Sequence, residues 1–408
     1  MQTRGYLASL CLAFVACVFA SMTAIPSFAQ SETVLYNFVG TGNFSVPNLV
    51  SDSSGNLYGA IPNNDTKIAQ VFELSPAAGG GWTRTVLHNL APAENAYEIV
   101  SNVIFDTAGN LYGTTSEGGA GCGTVYELQP GSGGTWSAKQ LHSFSNNSID
   151  GCTPLAGLVI DAAGNLYGTT QMGGHHGTGT VFKLTPRSVG PWGEEILHNF
   201  GYYFDGEYPQ AELTLDSAGN LYGTTNSGGA IEAGYGTVFE LSPHAGASWT
   251  ETILYNFTTA NGANGSNPLG GVIFDAAGNL YGTTDYGSAD GFGTAYELSP
   301  VVGGGWTLTL LHSYGNTGDG SFPQGNLVLD ATGNLYGTTY AGGVGFNGTV
   351  YKLKRSGSAW NETILFSFDG TDGQGPASGL ILDGTGNLYG MTSADGPSGG
   401  GVAFEITP

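Results

Sequence analysis

The sequence predicts an all-β fold, a seven-bladed β-propeller of four-stranded antiparallel sheets closed by the N-terminal strand pairing with the last repeat. Three observations predict it. Gly-Asn-Leu-Tyr-Gly occurs seven times, with its tyrosine at Tyr58, Tyr112, Tyr167, Tyr222, Tyr281, Tyr336 and Tyr389, in steps of 54, 55, 55, 59, 55 and 53 residues. Self-similarity at a fixed period of this length marks a repeat architecture. Each unit carries four short strand patterns separated by turn residues, and no stretch after the first 29 residues shows a helical apolar period long enough for a helix. The fourth-strand pattern is out of phase. Thr33-Val34-Leu35-Tyr36-Asn37-Phe38 precedes the first unit, while the last unit stops at Phe404-Glu405-Ile406-Thr407-Pro408, the end of a third strand. A ring whose last sheet is completed by the first strand accounts for both ends; an open solenoid would leave raw sheet edges there.

Taken in order, the first 29 residues read as a secretory signal peptide. Arg4 is their only charged side chain, the apolar run from Tyr6 to Ala20 follows, and Ser27-Phe28-Ala29 offers small residues for cleavage. A retained membrane anchor fits less well, because Ser21, Thr23, Pro26 and Ser27 interrupt the run. The expected organisation is residues 1–29 as leader and 30–408 as a single propeller domain, exported to the periplasm or outside, with no membrane insertion once mature.

The unit around Asp161 serves as reference. Leu158-Val159-Ile160 is a first strand, and Asp161 to Gly164 a turn in which Asp bonds downstream backbone while Gly supplies positive φ. Asn165 to Thr170 is a second strand, Gly173 to Gly179 a loop, Thr180 to Leu184 a third strand. A turn containing Pro186 leads past Trp192 to a fourth, Glu194 to Phe200. The seven aspartates that open these turns resemble calcium loops only superficially, since such loops need several oxygen ligands at alternate positions. All six tryptophans fill one slot ahead of the fourth strand and are read as packing between blades. His88, His142, His198 and His312 share a slot with Tyr36, Tyr255 and Phe366. They are read as aromatic-sized fillers rather than bases.

Glycine, at 70 of 408 residues, suits short strands and tight turns. Thirty-two acids against nine Lys and Arg give a formal net charge of -23, which leaves no basic stripe for nucleic acid or an anionic membrane surface. The acidity is read as keeping a Gly-rich surface soluble. Of four cysteines, Cys11 and Cys17 lie in the leader. Cys122 and Cys152 sit in loops of neighbouring repeats and are expected to form a disulfide in an oxidising compartment.

The unit Asp-x-x-Gly-Asn-Leu-Tyr-Gly-Thr-Thr, a Gly-Gly loop, Gly-Thr-Val-Phe-Glu-Leu, then Trp-x-x-Thr-x-Leu-x-x-Phe resembles the bacterial GloVer tandem repeat. Asp216 to Thr225, Gly236 to Leu241 and Trp249 to Phe257 carry the resemblance, which covers nearly the whole chain after the leader. The first repeat departs from it, with Ala60 for the first Thr and Pro62-Asn63-Asn64-Asp65 for the Gly-Gly loop. The resemblance implies a propeller-like shape and export, and adds no catalytic residue. Members often carry C-terminal anchors; this chain ends on its last strand, so free secretion is expected.

Function is expected on the face that carries the second-to-third loops and the blade connections, because these vary while the Asp turns do not. The sharpest cluster there is Tyr202, Tyr203, Phe204 and Tyr208 with Asp205 and Glu207, rings beside acids that suit a sugar; the plainer reading is that the rings plug a gap between blades. Further candidate ligand-binding residues are His175, His176, Glu232, Tyr235 and Asp290. His175 and His176 form the only histidine pair, too few ligands for a metal site without a partner such as Glu232. No cofactor, no metal ligand set and no catalytic residue are expected. No nucleophile elbow at a strand-to-helix turn, no His-Glu-x-x-His and no phosphate-cradling loop is present. The expected function is thus an exported binding or scaffold propeller, a monomer taking a glycan or another cell-envelope component. The alternative is a secreted polysaccharide hydrolase or lyase whose acids converge in the central funnel.

Overall fold

The computed structural model describes residues 31–40, 47–62, 69–90, 101–145, 147–201, 204–230, 234–246, 248–258, 262–315 and 318–407. They form seven four-stranded antiparallel sheets. In blade 3 the strands a to d are Val159–Ile160, Leu166–Thr170, Thr180–Thr185 and Gly193–Asn199, hydrogen-bonded in that order. Blades 1, 2, 4, 5 and 6 repeat this plan over residues 50–90, 104–145, 214–256, 273–313 and 328–367. Blade 7 takes strands a to c from Ile381–Leu382, Leu388–Met391 and Gly399–Thr407, and its strand d is Ser31–Val39, paired antiparallel from Ser31↔Thr407 to Val39↔Gly399. The predicted ring closure is therefore present. No helix among the described residues is long and apolar enough to cross a membrane.

The Asp turn shows why the motif repeats so closely. In blade 3, Asp161 Oδ1 accepts from the Ala163 and Asn165 amides, both at 2.9 Å. Its Oδ2 accepts from Asn165 Nδ2 at 2.7 Å and the Tyr167 hydroxyl at 3.0 Å. Asp, Asn and Tyr of the motif are thus one hydrogen-bonded unit, and both carboxylate oxygens are spent inside the turn. The second glycine of the motif has a different cause. A Cβ at Gly168 would lie 2.7 Å from Cζ of Phe182 and 2.9 Å from Leu158 Cδ2, closer than carbon atoms approach.

The core lies between blades rather than within one. Tyr167, Val181, Leu197 and Phe200 of blade 3 cluster with Leu213, Leu221, Phe239 and Leu241 of blade 4. The closing seam is built alike, with Leu35, Phe38, Met391 and Ala403 of blade 7 against Leu49, Leu57, Phe72 and Leu74 of blade 1. Trp249 packs edge-on against Tyr167 of the preceding blade at 6.3 Å between centroids, as Trp82 and Trp360 do against Tyr389 and Tyr281, and Trp192 meets Tyr112 at a tilt. The tryptophans are interblade packing, as their period predicts. The Thr-Thr pair is also accounted for. Thr114 Oγ1 donates to the carbonyl of Ala156 in the next blade at 3.1 Å, and the Thr115 and Thr124 hydroxyls are hydrogen-bonded to each other at 2.8 Å. The Cys122–Cys152 disulfide joins blade 2 to the connection that enters blade 3.

Candidate functional site

Strand a is innermost, so the residue just ahead of it faces the axis. Four positions before each turn aspartate stand Asn48, Asn102, Gly157, Glu212, Gly271, Asn326 and Gly379. These form a ring that crosses blades. The Asn48 amide donates to Asn102 Oδ1 at 3.1 Å, and the Gly379 amide donates to Asn48 Oδ1. The Gly271 amide donates to Asn326 Oδ1 at 2.6 Å. Two of the asparagines turn their amides to the one acid: Asn102 Nδ2 lies 2.7 Å and Asn326 Nδ2 3.5 Å from Glu212 Oε2. The glycines leave room for these side chains; a Cβ at Gly157 would sit 2.9 Å from Asn102 Nδ2 and 3.3 Å from the Glu212 carboxyl carbon.

Above this floor opens a cavity of about 300 Å³. Its walls carry Gln210, Gln324, Tyr340 and Ser393, interleaved with Leu155 and Leu269. Burial raises the Glu212 carboxyl to about 7, against the lowering effect of the Asn102 hydrogen bond. Behind the wall, Gln324 Nε2 donates to Asp285 Oδ1 at 3.1 Å, and burial raises that carboxyl to about 6. Glu212 is the sole acid, and no base is present, among the described residues lining the cavity.

The sequence-predicted site residues are distributed elsewhere on this face. Tyr202, Tyr203 and Glu232 lie outside the described residues. Phe204 is 72% exposed at φ 72°. Asp205 faces the seam between blades 3 and 4, where its carboxylate accepts from the Gly201 and Gly206 amides at 3.0 and 2.7 Å. Glu207 belongs to a short ribbon with Ser227, and Tyr208 at φ 56° donates its amide to the Thr178 carbonyl at 2.8 Å. Tyr235 is half-buried against the blade 4–5 core. His175 and Asp290 are exposed; His176 is exposed with its ring against Gly201. None of the described candidates lines the axial cavity. Yet the described stretch from Phe204 to Glu212 leads from the seam of blades 3 and 4 to the axis. Of its described residues, Phe204 and Tyr208 stand toward the outer end, and Gln210 and Glu212 line the axial cavity.

The histidine slot does more than fill space. The rings are packed, His198 edge-on against Phe200 at 4.7 Å as Tyr255 is against Phe257 at 5.0 Å. Three of them also meet two carboxylates, one from the following connection and one from the outer strand of the next blade. His142 meets Asp150 and Glu194, His198 meets Asp205 and Glu251, and His312 meets Asp319 and Glu362. Burial pushes Glu194 to about 7, Glu251 to about 8 and Glu362 to about 9. A sequence signal marks them: a glutamate two residues after the tryptophan in blades 3, 4 and 6, one blade after each of these histidines.

Fold and axis together define a seven-bladed propeller with a polar, amide-floored cavity at its centre. The chain belongs to the Gloeobacter/Verrucomicrobia repeat family, whose model matches residues 22–234 and 215–408. No curated protein matches the sequence. Among solved structures, the chain is similar to a protein from Bacteroides uniformis assigned as a 6-phosphogluconolactonase, at 15% identity and a TM-score of 0.49, covering 78% of this chain and 82% of that one. It is also similar to an assigned oxidoreductase (glucose dehydrogenase) from Thermus thermophilus, at 14% identity and a TM-score of 0.43, covering 93% of this chain and all of that one. Neither similarity bears on chemistry.

Proposed function

We propose that the protein is an exported, non-catalytic binding propeller that seats a neutral carbohydrate at the axial mouth. The observation that carries this reading is the convergence of Asn48, Asn102, Gln210, Glu212, Gln324, Asn326 and Tyr340, from four blades, on one cavity. Few convergent polar groups in a concave, partly apolar seat are the usual signature of a small-molecule site. Amides offer both donors and acceptors to hydroxyl groups, and Tyr340 with Leu155 and Leu269 offers apolar surface for the face of a sugar ring. An anionic ligand is disfavoured by a net charge of -23 and a cavity without a basic side chain. Glycoside cleavage asks for two carboxyl groups about 5–10 Å apart, and the described lining supplies one. The rim residues Phe204, Glu207 and Tyr208, on the same connection as Glu212, flank a longer glycan in this reading.

A glycan array probed with purified protein tests it. Binding to neutral oligosaccharides, lost in Gln210→Ala and Tyr340→Ala, is the expected result. An array without binding, or binding indifferent to both substitutions, overturns it.

A further inference from the structure

We propose that the three His-Asp-Glu clusters at the blade seams are divalent transition-metal sites, of the class that takes zinc, each tying one blade to the next. The ligand set is right for such an ion: one imidazole and two carboxylates, with a fourth position left to water. In every cluster the ligand atoms lie within 4.8 Å of one another. His142 Nε2 is 3.3 Å from Glu194 Oε1 and 3.6 Å from Asp150 Oδ1. His198 Nε2 is 3.2 Å from Asp205 Oδ2 and 3.6 Å from Glu251 Oε2, and His312 Nε2 is 3.1 Å from Asp319 Oδ2 and 3.5 Å from Glu362 Oε2. The His198–Asp205 and His312–Asp319 contacts are also hydrogen bonds, at 3.2 and 3.1 Å; the other four, at 3.3–3.6 Å, are longer than the about 2.7–2.9 Å of a charge-assisted bond. The edge of a tetrahedron around an ion with bonds of about 2.0–2.2 Å is about 3.3–3.6 Å.

Two further observations point to a missing positive charge. Glu194 Oε1, Glu251 Oε1 and Glu362 Oε1 are buried without a well-aligned donor, and each glutamate faces the aspartate of its own cluster instead. Native interiors rarely leave such atoms unsatisfied. The aspartates, by contrast, are oriented from behind by backbone donors: Gly151 to Asp150 at 2.8 Å, Gly206 to Asp205 at 2.7 Å and Gly320 to Asp319 at 2.7 Å. Donors of this kind, standing behind the ligands, fix carboxylates in metal sites.

The other seams of the same chain supply the control. Where Tyr255 replaces the histidine, Leu308 replaces the glutamate, and the two pack in one apolar cluster. Where Tyr36 stands, Arg84 faces it at 5.7 Å. His88 is followed one blade later by Ala138, and Phe366 by Glu32, so neither seam has the full set.

The test uses untagged protein dialysed free of metal and titrated with zinc chloride in a calorimeter. Three equivalents are expected, with a Tm that rises with zinc and falls back on chelation. The double substitution His198→Tyr with Glu251→Leu installs the pair that the same fold holds at the Tyr255 seam, and it is expected to lose one equivalent. His175→Ala with His176→Ala is expected to lose none. No zinc bound, or a stoichiometry unchanged in the His198→Tyr, Glu251→Leu protein, overturns the proposal.

Discussion

Asn102 Nδ2 donates a 2.7 Å hydrogen bond to Oε2 of Glu212, joining two side chains 110 residues apart in the chain across the centre of the ring. The bond exists because both residues occupy the same slot of their repeats, one position that the seven-fold plan turns toward the axis. A slot that packing leaves free is where a repeat protein can vary its chemistry. Here it holds three asparagines, three glycines and one glutamate.

Glu212 gives a pH signature. Its carboxyl is held at about 7 by burial, above the ordinary value of 4.5. A raised acid is protonated in the fold while the unfolded chain has already ionised. Its contribution is therefore present below about pH 4.5 and is lost as pH rises through about 7. Glu212→Gln should match the wild type near pH 4.5 and exceed its stability at pH 8 by on the order of 1–3 kcal/mol. Urea unfolding at the two pH values checks this; an equal gap at both speaks against it.

The Asp turns run in the opposite sense. Burial alone would raise Asp52, Asp106, Asp161, Asp275, Asp330 and Asp383, but the turn's amide, asparagine and hydroxyl donors outweigh it and hold them below the usual carboxylate value. Stability from these groups is present above about pH 4 and is lost as pH falls toward their folded values. Asp161→Ala, which strands four donors, should cost about 2–3 kcal/mol at pH 7 and flatten part of the acid limb. Unfolding curves from pH 2 to 7 measure both effects.

Gly168→Ala should destabilise by about 1–3 kcal/mol, because the new methyl meets the Phe182 ring at 2.7 Å. Phe182→Leu in the same chain removes the collision, so the double variant should lose less than the sum of the single changes. An additive result in a double-mutant cycle would show that the ring is not what excludes the side chain.

Removing residues 31–39 takes away strand d of blade 7 and bares the edge of Gly399–Thr407. An unpaired edge templates association. Light scattering should show the truncated protein aggregating at concentrations where the full chain stays dispersed; a monodisperse truncated protein would mean that closure is not what protects the ring.

The fold was legible because its signals are local and repeated. Asp161, Asn165 and Tyr167 form one turn unit within seven residues, and the phase mismatch at the two ends pairs the Thr33–Phe38 segment with the last repeat, as the strands Ser31–Val39 and Gly399–Thr407 do. The Cys122–Cys152 pairing followed from adjacency of repeats. The axial floor is not legible in the sequence, because Asn102 and Glu212 meet only once the ring closes, and each looks unremarkable beside its own apolar strand. The seam clusters are half legible. His198 does fill an aromatic slot, but Glu251 belongs to the next blade, and only comparing each histidine with the glutamate one repeat later reveals the partnership.

The location of a bound neutral oligosaccharide in a co-crystal tests the functional reading most directly. Ligand density among Gln210, Gln324 and Tyr340, above the Asn102–Glu212 bond, is the predicted result. Density over Phe204 and Tyr208 at the rim, with the axial mouth holding only solvent, would contradict it.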